Sequence, residues 1–540
     1  MRCRFASLAL WLSAIAAPLD AQIDVPTYTE AFIGEFQRLN PYWAAPNSNE
    51  AAVSSLLFEG LFTLNRFGEI IPLLAQDVYI SQDGLEYVVW LRGQPAESGP
   101  ALHPPALWHD GRPVTAQDVV FTLSLLRSRN FPGDPTLRDF WRTVESYALS
   151  EFAVRFRLAQ PLASFMDALR TPILPEHALR GVRAAELFLH PFNLDPIGSG
   201  PYQLASLHSE DGLHISEVIL ERAPNYTERA AAPFALERIR FRRYEDLAAV
   251  IAAATAGEID GYASRHFSER NALLETPFLI HSTIAPVISM LLLQWEHEWL
   301  ADLRIRRALR ESLPVPQVIQ SALPNLVVSA DAPLLATSWA YVPSPALTID
   351  AATARENLHQ SLADYENDAE AWTLRLLLRD IPPMRALAQE IADRFQALSL
   401  TLTLDARPDS EFQAALAARD FDLALVELDF SGSADPDVYD FWHEGQIETG
   451  QNYAAVANRR ISQALEHARR DTNGFHRRAH YADFQQAFVE AAVAIPLYSP
   501  LFTYAIHPDI EGVQWGHLDS SSARFRKIGH WYRAKEAEYE

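Results

Sequence analysis

The stretch Ala106–Leu126, ALWHDGRPVTAQDVVFTLSLL, places an aromatic, a histidine and a carboxylate side by side at Trp108, His109 and Asp110. Those residue types suit a metal-ligand pair or part of a catalytic triad. Neighbours in sequence do not converge on one point unaided, however, and turn chemistry accounts for the same letters. Asp110-Gly111 favours positive φ, and Pro113 fixes the exit of the turn. Ala106–Trp108 reads as the end of a strand. Thr115 followed by Asp118 has the shape of a capping box, with Asp in place of the preferred Glu. Val119, Val120, Leu123 and Leu126 then share one face of a helix. The stretch reads as a corner between a strand and a helix.

Outward from this corner the chain alternates strand, turn and helix signals. Tyr28–Ile33 reads as a short strand, broken by LNP at Leu39–Pro41. Ala51–Phe62 reads as a helix, with Val53, Leu56, Leu57, Gly60 and Leu61 at helical spacing. SQDG at Ser81–Gly84 is a turn, and LEYVVWLRG after it alternates as a strand. Ile215–Tyr226 is strand-like. Ala235–Ala263 reads strand, Ala-rich helix, glycine turn, strand, an order that marks a parallel sheet. TLRLLLRD (Thr373–Asp380), a helix at Met384–Leu398, LTLTLDA and DFDLALVELDF repeat that order. The class is α/β, with no solenoid repeat.

Bulk properties narrow the function. At 540 residues, roughly two to four lobes are expected. A net charge of -24 argues against a general nucleic-acid binder, which needs a basic face to neutralise phosphates, and leaves room for a small basic pocket. Residues 1–22 have a secretory-signal pattern: Arg2 and Arg4, an apolar run at Phe5–Leu19, then a small residue before Gln22. The run is short for a spanning helix of ~20 residues. A cleaved signal and an uncleaved anchor both fit it. The one cysteine is Cys3, ahead of the apolar run, so the chain beyond residue 22 has no disulfide and no thiol nucleophile. EHEW at Glu296–Trp299 lacks the second histidine of HExxH, GSG at Gly198–Gly200 is not G-x-S-x-G, and no P-loop occurs. The histidines have no metal spacing. No cofactor, metal or catalytic set is expected.

Several stretches, taken in order, carry a resemblance. They are LNP, FEGL (Phe58–Leu61), Pro72–Arg92, Trp108–Leu123, ILPEH (Ile173–His177), GSGPY (Gly198–Tyr202), Asn225-Tyr226 and AGEID (Ala256–Asp260). DLRIRRAL (Asp302–Leu309), Asp420–Asp437, Asn452-Tyr453 and AIPLY (Ala494–Tyr498) complete them. Together they resemble the extracytoplasmic solute-binding proteins of ABC transporters, family 5, the oligopeptide- and dipeptide-binding type.

The resemblance implies a two-lobed periplasmic-binding-protein fold, type II-like, with an extra α+β lobe and a ligand cleft between the lobes. It places lobe I at 23–60, 190–290 and 500–540, the extra lobe at 61–189 and the opposite lobe at 291–499. It implies a monomeric, non-enzymatic, periplasmic or extracytoplasmic protein. Such a protein captures a peptide or similar small solute by lobe closure and passes it to a membrane permease. The implied ligand-binding set is Asn49, Glu50, Gln294, Trp295, Asp429, Gly432, Asn452 and Tyr453. Two positions depart from the family. Peptide-binding members carry an aspartate three residues before an acid-Pro pair; here the pair is Asp435-Pro436 and the position is Gly432. Asp429 either replaces that aspartate or caps a strand end. Gln294 stands where Asn is frequent, in a strand expected to reach the cleft. A solute without a free amine, such as a sugar or a metal complex, therefore stays open. Trp295 and Trp299 either stack on it or pack in the core. A sensing role without import also stays open.

Overall fold

The computed structural model describes residues 25–534 apart from 46, 97–98, 210–213, 227–235, 345–350, 364 and 366–371. The expected signal at 1–22 lies outside the described residues.

The two expected β-α-β units are both present. Arg238–Tyr244 leads through helix Leu247–Thr255, capped by Asp246, to strand Gly261–Ala263. Both strands lie parallel to Thr27–Ile33, one on each side of it. Trp372–Arg379, helix Pro382–Gln396 and Leu400–Arg407 repeat the unit, again in parallel. Leu423–Asp429 then pairs with Trp372–Arg379 on the other edge, also in parallel.

These units belong to one continuous sheet. Its order is Tyr202–Ser209, Ile215–Arg222, Arg238–Tyr244, Thr27–Ile33, Gly261–Ala263, Ala494–Ile506, Val287–Leu293, Leu423–Asp429, Trp372–Arg379, Leu400–Arg407. The two lobes meet on the 13-residue strand Ala494–Ile506. Its first half pairs with Val287–Leu293, and its second half with Leu279–Ile284 and Gly261–Ala263. The chain therefore crosses between lobes twice, at Ala285-Pro286 and at Ser499-Pro500. The Ala285 amide donates to the Pro500 carbonyl at 2.9 Å. Neither proline can donate to the ladder, so pairing with Val287–Leu293 and Leu279–Ile284 breaks at the crossing, while Val327–Ser329 pairs with Tyr498–Pro500 alongside it.

The opposite lobe buries both faces of its mixed sheet. Along Val287–Leu293, Met290 and Leu292 face a core with Phe412, Leu465 and Phe488. Leu291 and Leu293 face a second core with Leu309, Leu387 and Phe395. That is why LLL runs without polar alternation. The extra lobe is a separate antiparallel sheet, Ala75–Ile80, Glu86–Leu91, Ala153–Leu158 and Val144–Ser150. Its core residues Tyr87, Trp108, Trp141 and Phe165 join the lobe I core around Phe32 and Leu56.

The corner at Trp108 is structural. Helix Ala116–Leu126 starts after Thr115. The buried Asp118 carboxylate accepts from the Thr115 amide at 2.8 Å and hydroxyl at 3.0 Å, and from the Glu176 amide at 2.8 Å. His109 clasps the GSG segment: its Nδ1 accepts from the Gly198 amide at 3.1 Å, and its Nε2 donates to the Gly200 carbonyl at 3.1 Å. Burial holds the His109 pKa down, to about 4. His177 meets Asp110 at 2.8 Å, and the Asn225 amide donates to the His109 carbonyl. The stretches WHDG, PEH, GSG and NY thus converge on one knot.

Two expected elements differ. The helix expected over Ala51–Phe62 ends at Leu57, because Phe58 turns extended and Phe62–Leu64 pairs with Ile70–Pro72 instead. The Leu57 carbonyl accepts from the Gly200 amide at 2.8 Å, and Glu59 from the Ile173 amide, so tertiary partners take the backbone over. Ala106–Trp108 is no strand; only a single bridge joins Leu107 to Pro113.

Candidate functional site: the cleft at the crossing strands

The hinge geometry sets which residues can meet a ligand. Strand Leu423–Asp429 pairs antiparallel with Val287–Leu293, so Asp429 sits opposite Val287 beside the crossing. The loop that follows, Phe430–Pro436, projects from the opposite lobe toward lobe I and the extra lobe. It is held from both. The Gly432 amide donates to the Asp519 carbonyl at 2.7 Å, and Asn47 donates to the Ser431 hydroxyl at 2.7 Å. Asn47 also accepts from the Ser521 amide at 2.7 Å. Asp167, in the extra lobe, accepts from the Ser433 hydroxyl at 2.9 Å and the Ala434 amide at 3.3 Å. A further contact joins the lobes where the Ala163 amide donates to the Arg469 carbonyl at 2.8 Å.

Charges beneath this loop alternate. Arg170 pairs with Asp167 at 2.5 Å and with Asp519, which also pairs with Arg526. Burial pushes the Asp519 carboxyl up, but Arg526 and Arg170 outweigh it and hold the pKa below the usual carboxylate range. Asp435 shows the reverse balance. Its burial raises its pKa even though Arg477 lies 2.8 Å away. A pocket beside the crossing, between Pro286, Leu334, Phe430, Pro436 and His517, has a volume of about 30 Å³. That is room for about one water.

The eight residues singled out from sequence fall into two groups. Asp429 and Gly432 belong to the crossing side, and Asn49 and Glu50 follow Asn47, which bonds the Phe430–Pro436 loop, on the first turn of helix Asn49–Leu57. Asn49 donates to the Ile33 carbonyl at 3.0 Å, and Glu50 accepts from the Gln37 amide at 3.2 Å. Asp429 is exposed and accepts from the Ser431 amide at 2.8 Å, the geometry of a cap on the strand end. Gly432 has φ +88°, a left-handed backbone that favours glycine.

Gln294, Trp295, Asn452 and Tyr453 lie together elsewhere. Gln294 follows Leu293, at the end of its strand away from the crossing. Seven residues of strand separate it from Val287, about 20 Å. It is buried and donates to the Tyr453 carbonyl at 3.2 Å. Asn452 spends its side chain within its own loop, on the His443 carbonyl and on Val456. Trp295 donates to the Val493 carbonyl and carries the Arg306 guanidinium 3.9 Å above its ring. Trp299 packs on Trp372 at 4.9 Å. Gln294 therefore does not reach the cleft as expected, because the strand enters the lobe at Val287 and leaves the cleft behind.

Sequence reasoning missed Asn47, Asp167, Arg170, His517 and Asp519. They are scattered over more than 470 residues, and no local spacing links them.

A model of the bacterial extracellular solute-binding proteins, family 5 (middle), matches residues 69–449. The chain belongs to this family. Among relatives of this family 5 protein is the oligopeptide-binding protein AppA of Bacillus subtilis, 24% identical over 428 residues, 76% of each chain. The structure of that AppA in complex with a nonapeptide superposes with a TM-score of 0.69 at 21% identity, covering 94% of this chain and 99% of that one. The substrate-binding protein CtaP of Listeria monocytogenes gives a TM-score of 0.80 at 22% identity, over 95% and 100%. NikZ of Campylobacter jejuni, in complex with Ni(L-His), gives 0.72 at 23%, over 94% and 99%. At these identities the structures show a shared fold: two lobes with a cleft between them.

Proposed function

We propose that this family 5 protein is the extracytoplasmic substrate-binding subunit of an ABC importer. It captures a peptide or similar small solute as the lobes close, and delivers it to a membrane permease. The observation that carries this reading is the loop Phe430–Pro436, gripped by Asn47, Asp167 and Asp519 across a cleft hinged at two proline-bearing crossings. A ligand that touches both sides of such a cleft biases an open–closed equilibrium. The closing bodies are lobe I (23–60, 190–290, 500–540) with the extra lobe (61–189), against 291–499. The ligand-facing candidates are Asn49, Glu50, Asp429 and Gly432. Residues 1–22 act as the export signal, and the protein works as a monomer. Among the described residues no helix is long and apolar enough to cross a membrane.

A non-peptide solute is the second reading. It is favoured by Gly432, which offers no carboxylate, and by Asp429, whose carboxylate is turned into its own turn. Mass spectrometry of solutes retained by gently purified protein separates the two. A mixture of peptides supports the first reading, and a single sugar or metal complex the second. Chemical conversion of the retained solute, or the absence of any solute that raises the melting temperature, overturns both.

A further inference from the structure

A cavity of about 690 Å³ lies outside the cleft, between lobe I, the extra lobe and the C-terminal turns. None of its walls comes from residues 291–499. Its volume is in the range of small-molecule sites. We propose that this cavity is a second binding site, for a small anionic solute carrying a carboxylate or phosphate group, with Lys527 as its anchor.

The charges of the wall carry the proposal. Arg92, Arg170, Arg526 and Lys527 line the cavity against Glu59 and Asp519. Asp519 is already taken up by Arg170 and Arg526, and Glu59 accepts from the Tyr226 hydroxyl at 3.0 Å. Lys527 is one of only two lysines in the chain, with Lys535. Among the described residues no carboxylate pairs with it. The chain as a whole is strongly acidic, so a cavity with a spare ammonium is a local reversal of sign.

The backbone fixes the position from which Lys527 extends. Ser521–His530 is a run of tight turns kinked at Lys527, with φ -116° and ψ 25°. Phe525 and Ile528, on either side of the kink, are buried in the lobe I core. Arg524 is anchored on the buried Glu30 at 3.0 Å. Lys527 is thus presented from a fixed turn. Arg170 and Asp519 also bond the Gly432 backbone, so this cavity and the cleft share a wall.

The test titrates citrate, inorganic pyrophosphate and, as a neutral control, glycerol into the purified protein by calorimetry. At least one anion should bind one to one and glycerol should not. Citrate alone points to a carboxylate ligand, pyrophosphate alone to a phosphate ligand. Lys527→Met should weaken binding at least about tenfold, the usual scale for a lost charge-assisted contact, while Lys527→Arg retains most of it. No binding tighter than about 10 mM for either anion, or equal binding by Lys527→Met, overturns the proposal. A second measurement does not depend on that variant. Ser522 lines the cavity, so in a Ser522→Cys chain that also carries Cys3→Ser, the introduced thiol should react faster with an anionic methanethiosulfonate than with a cationic one. The opposite order, or equal rates, overturns the proposal.

Discussion

Asp167 accepts a hydrogen bond of 2.9 Å from the Ser433 hydroxyl, which lies 266 residues further along the chain. The same carboxylate takes the Ala434 amide and pairs with Arg170. One acidic side chain of the extra lobe thus closes onto the loop of the opposite lobe. A hydrogen bond to a charged group contributes about 1.5–3 kcal/mol. Ser433→Ala should therefore shift the unliganded equilibrium toward the open form by roughly tenfold. Small-angle scattering should show a larger radius of gyration for the variant than for the parent. Identical scattering curves would mean that Asp167 does not hold the cleft shut.

Gly198 and Gly200 should tolerate no side chain. A Cβ at Gly198 would lie 1.9 Å from the Leu57 carbonyl oxygen, and one at Gly200 would lie 2.3 Å from that of Leu56. Those carbonyls end the helix Asn49–Leu57, and the backbone has no slack to move away. Either Gly→Ala change should cost about 1–3 kcal/mol or more in urea unfolding. Gly474→Ala is the control: nothing lies within 4 Å of its Cβ, so stability should stay level or rise slightly. Equal stability of Gly198→Ala and the parent would refute the close approach.

His109 should make stability depend on pH. An imidazole in the unfolded chain takes its proton near pH 6.5, about the ordinary value. In the fold, burial holds it neutral down to about 4. Between those two values the unfolded chain binds more protons, so stability rises with pH. The contribution is complete above about pH 6.5 and is lost as pH falls toward 4, on the order of 2 kcal/mol across the window. Urea unfolding of His109→Gln at a series of pH values should lack this component of the slope. An unchanged slope would assign the pH dependence to other groups.

The sheet units were legible because their signals are local. Leu374, Leu376 and Leu378 face one core and Leu377 the other, so a strand buried on both sides leaves an unbroken apolar run. The helix start at Thr115 was legible for the same reason, since Thr115 and Asp118 are three residues apart, whereas the strand expected at Ala106–Trp108 is only a single bridge. The helix end at Leu57 was not. Gly60 and Leu61 continue the helical spacing, and the chain leaves the helix only because Gly200 and Ile173 bond its carbonyls from elsewhere. Asp429 and Gly432 stand out in the sequence because they depart from a family pattern within one loop. Asp167 and Asp519 were invisible, since neither has any meaning until the fold brings them to that loop. Gln294 was singled out from a family pattern, and that pattern does not say that Val287, not Gln294, is the end of the strand beside the crossing.

The carboxylates of the cleft loop bear on ligand chemistry. Asp435 is bound to Arg477, Asp437 to Arg469, and Asp429 is exposed and holds the Ser431 amide. Gly432 has none to offer, and its φ of +88° would strain an aspartate placed there. Asp167 reaches the loop but is already matched by Arg170. A ligand ammonium would have to displace an arginine at Asp167, Asp435 or Asp437, and at the exposed Asp429 it would gain only a solvent-screened pair, so it should add little to affinity. For any peptide that the protein binds, N-acetylation should weaken binding less than about tenfold, compared by calorimetry at one ionic strength. A buried, hydrogen-bonded amine anchor would instead cost about 2–5 kcal/mol when its partner is removed, which is a loss of roughly thirtyfold or more. A loss of that size would show that one of these carboxylates is released on binding. Repeating the pair of titrations with Asp429→Asn and with Asp167→Asn would then identify which one.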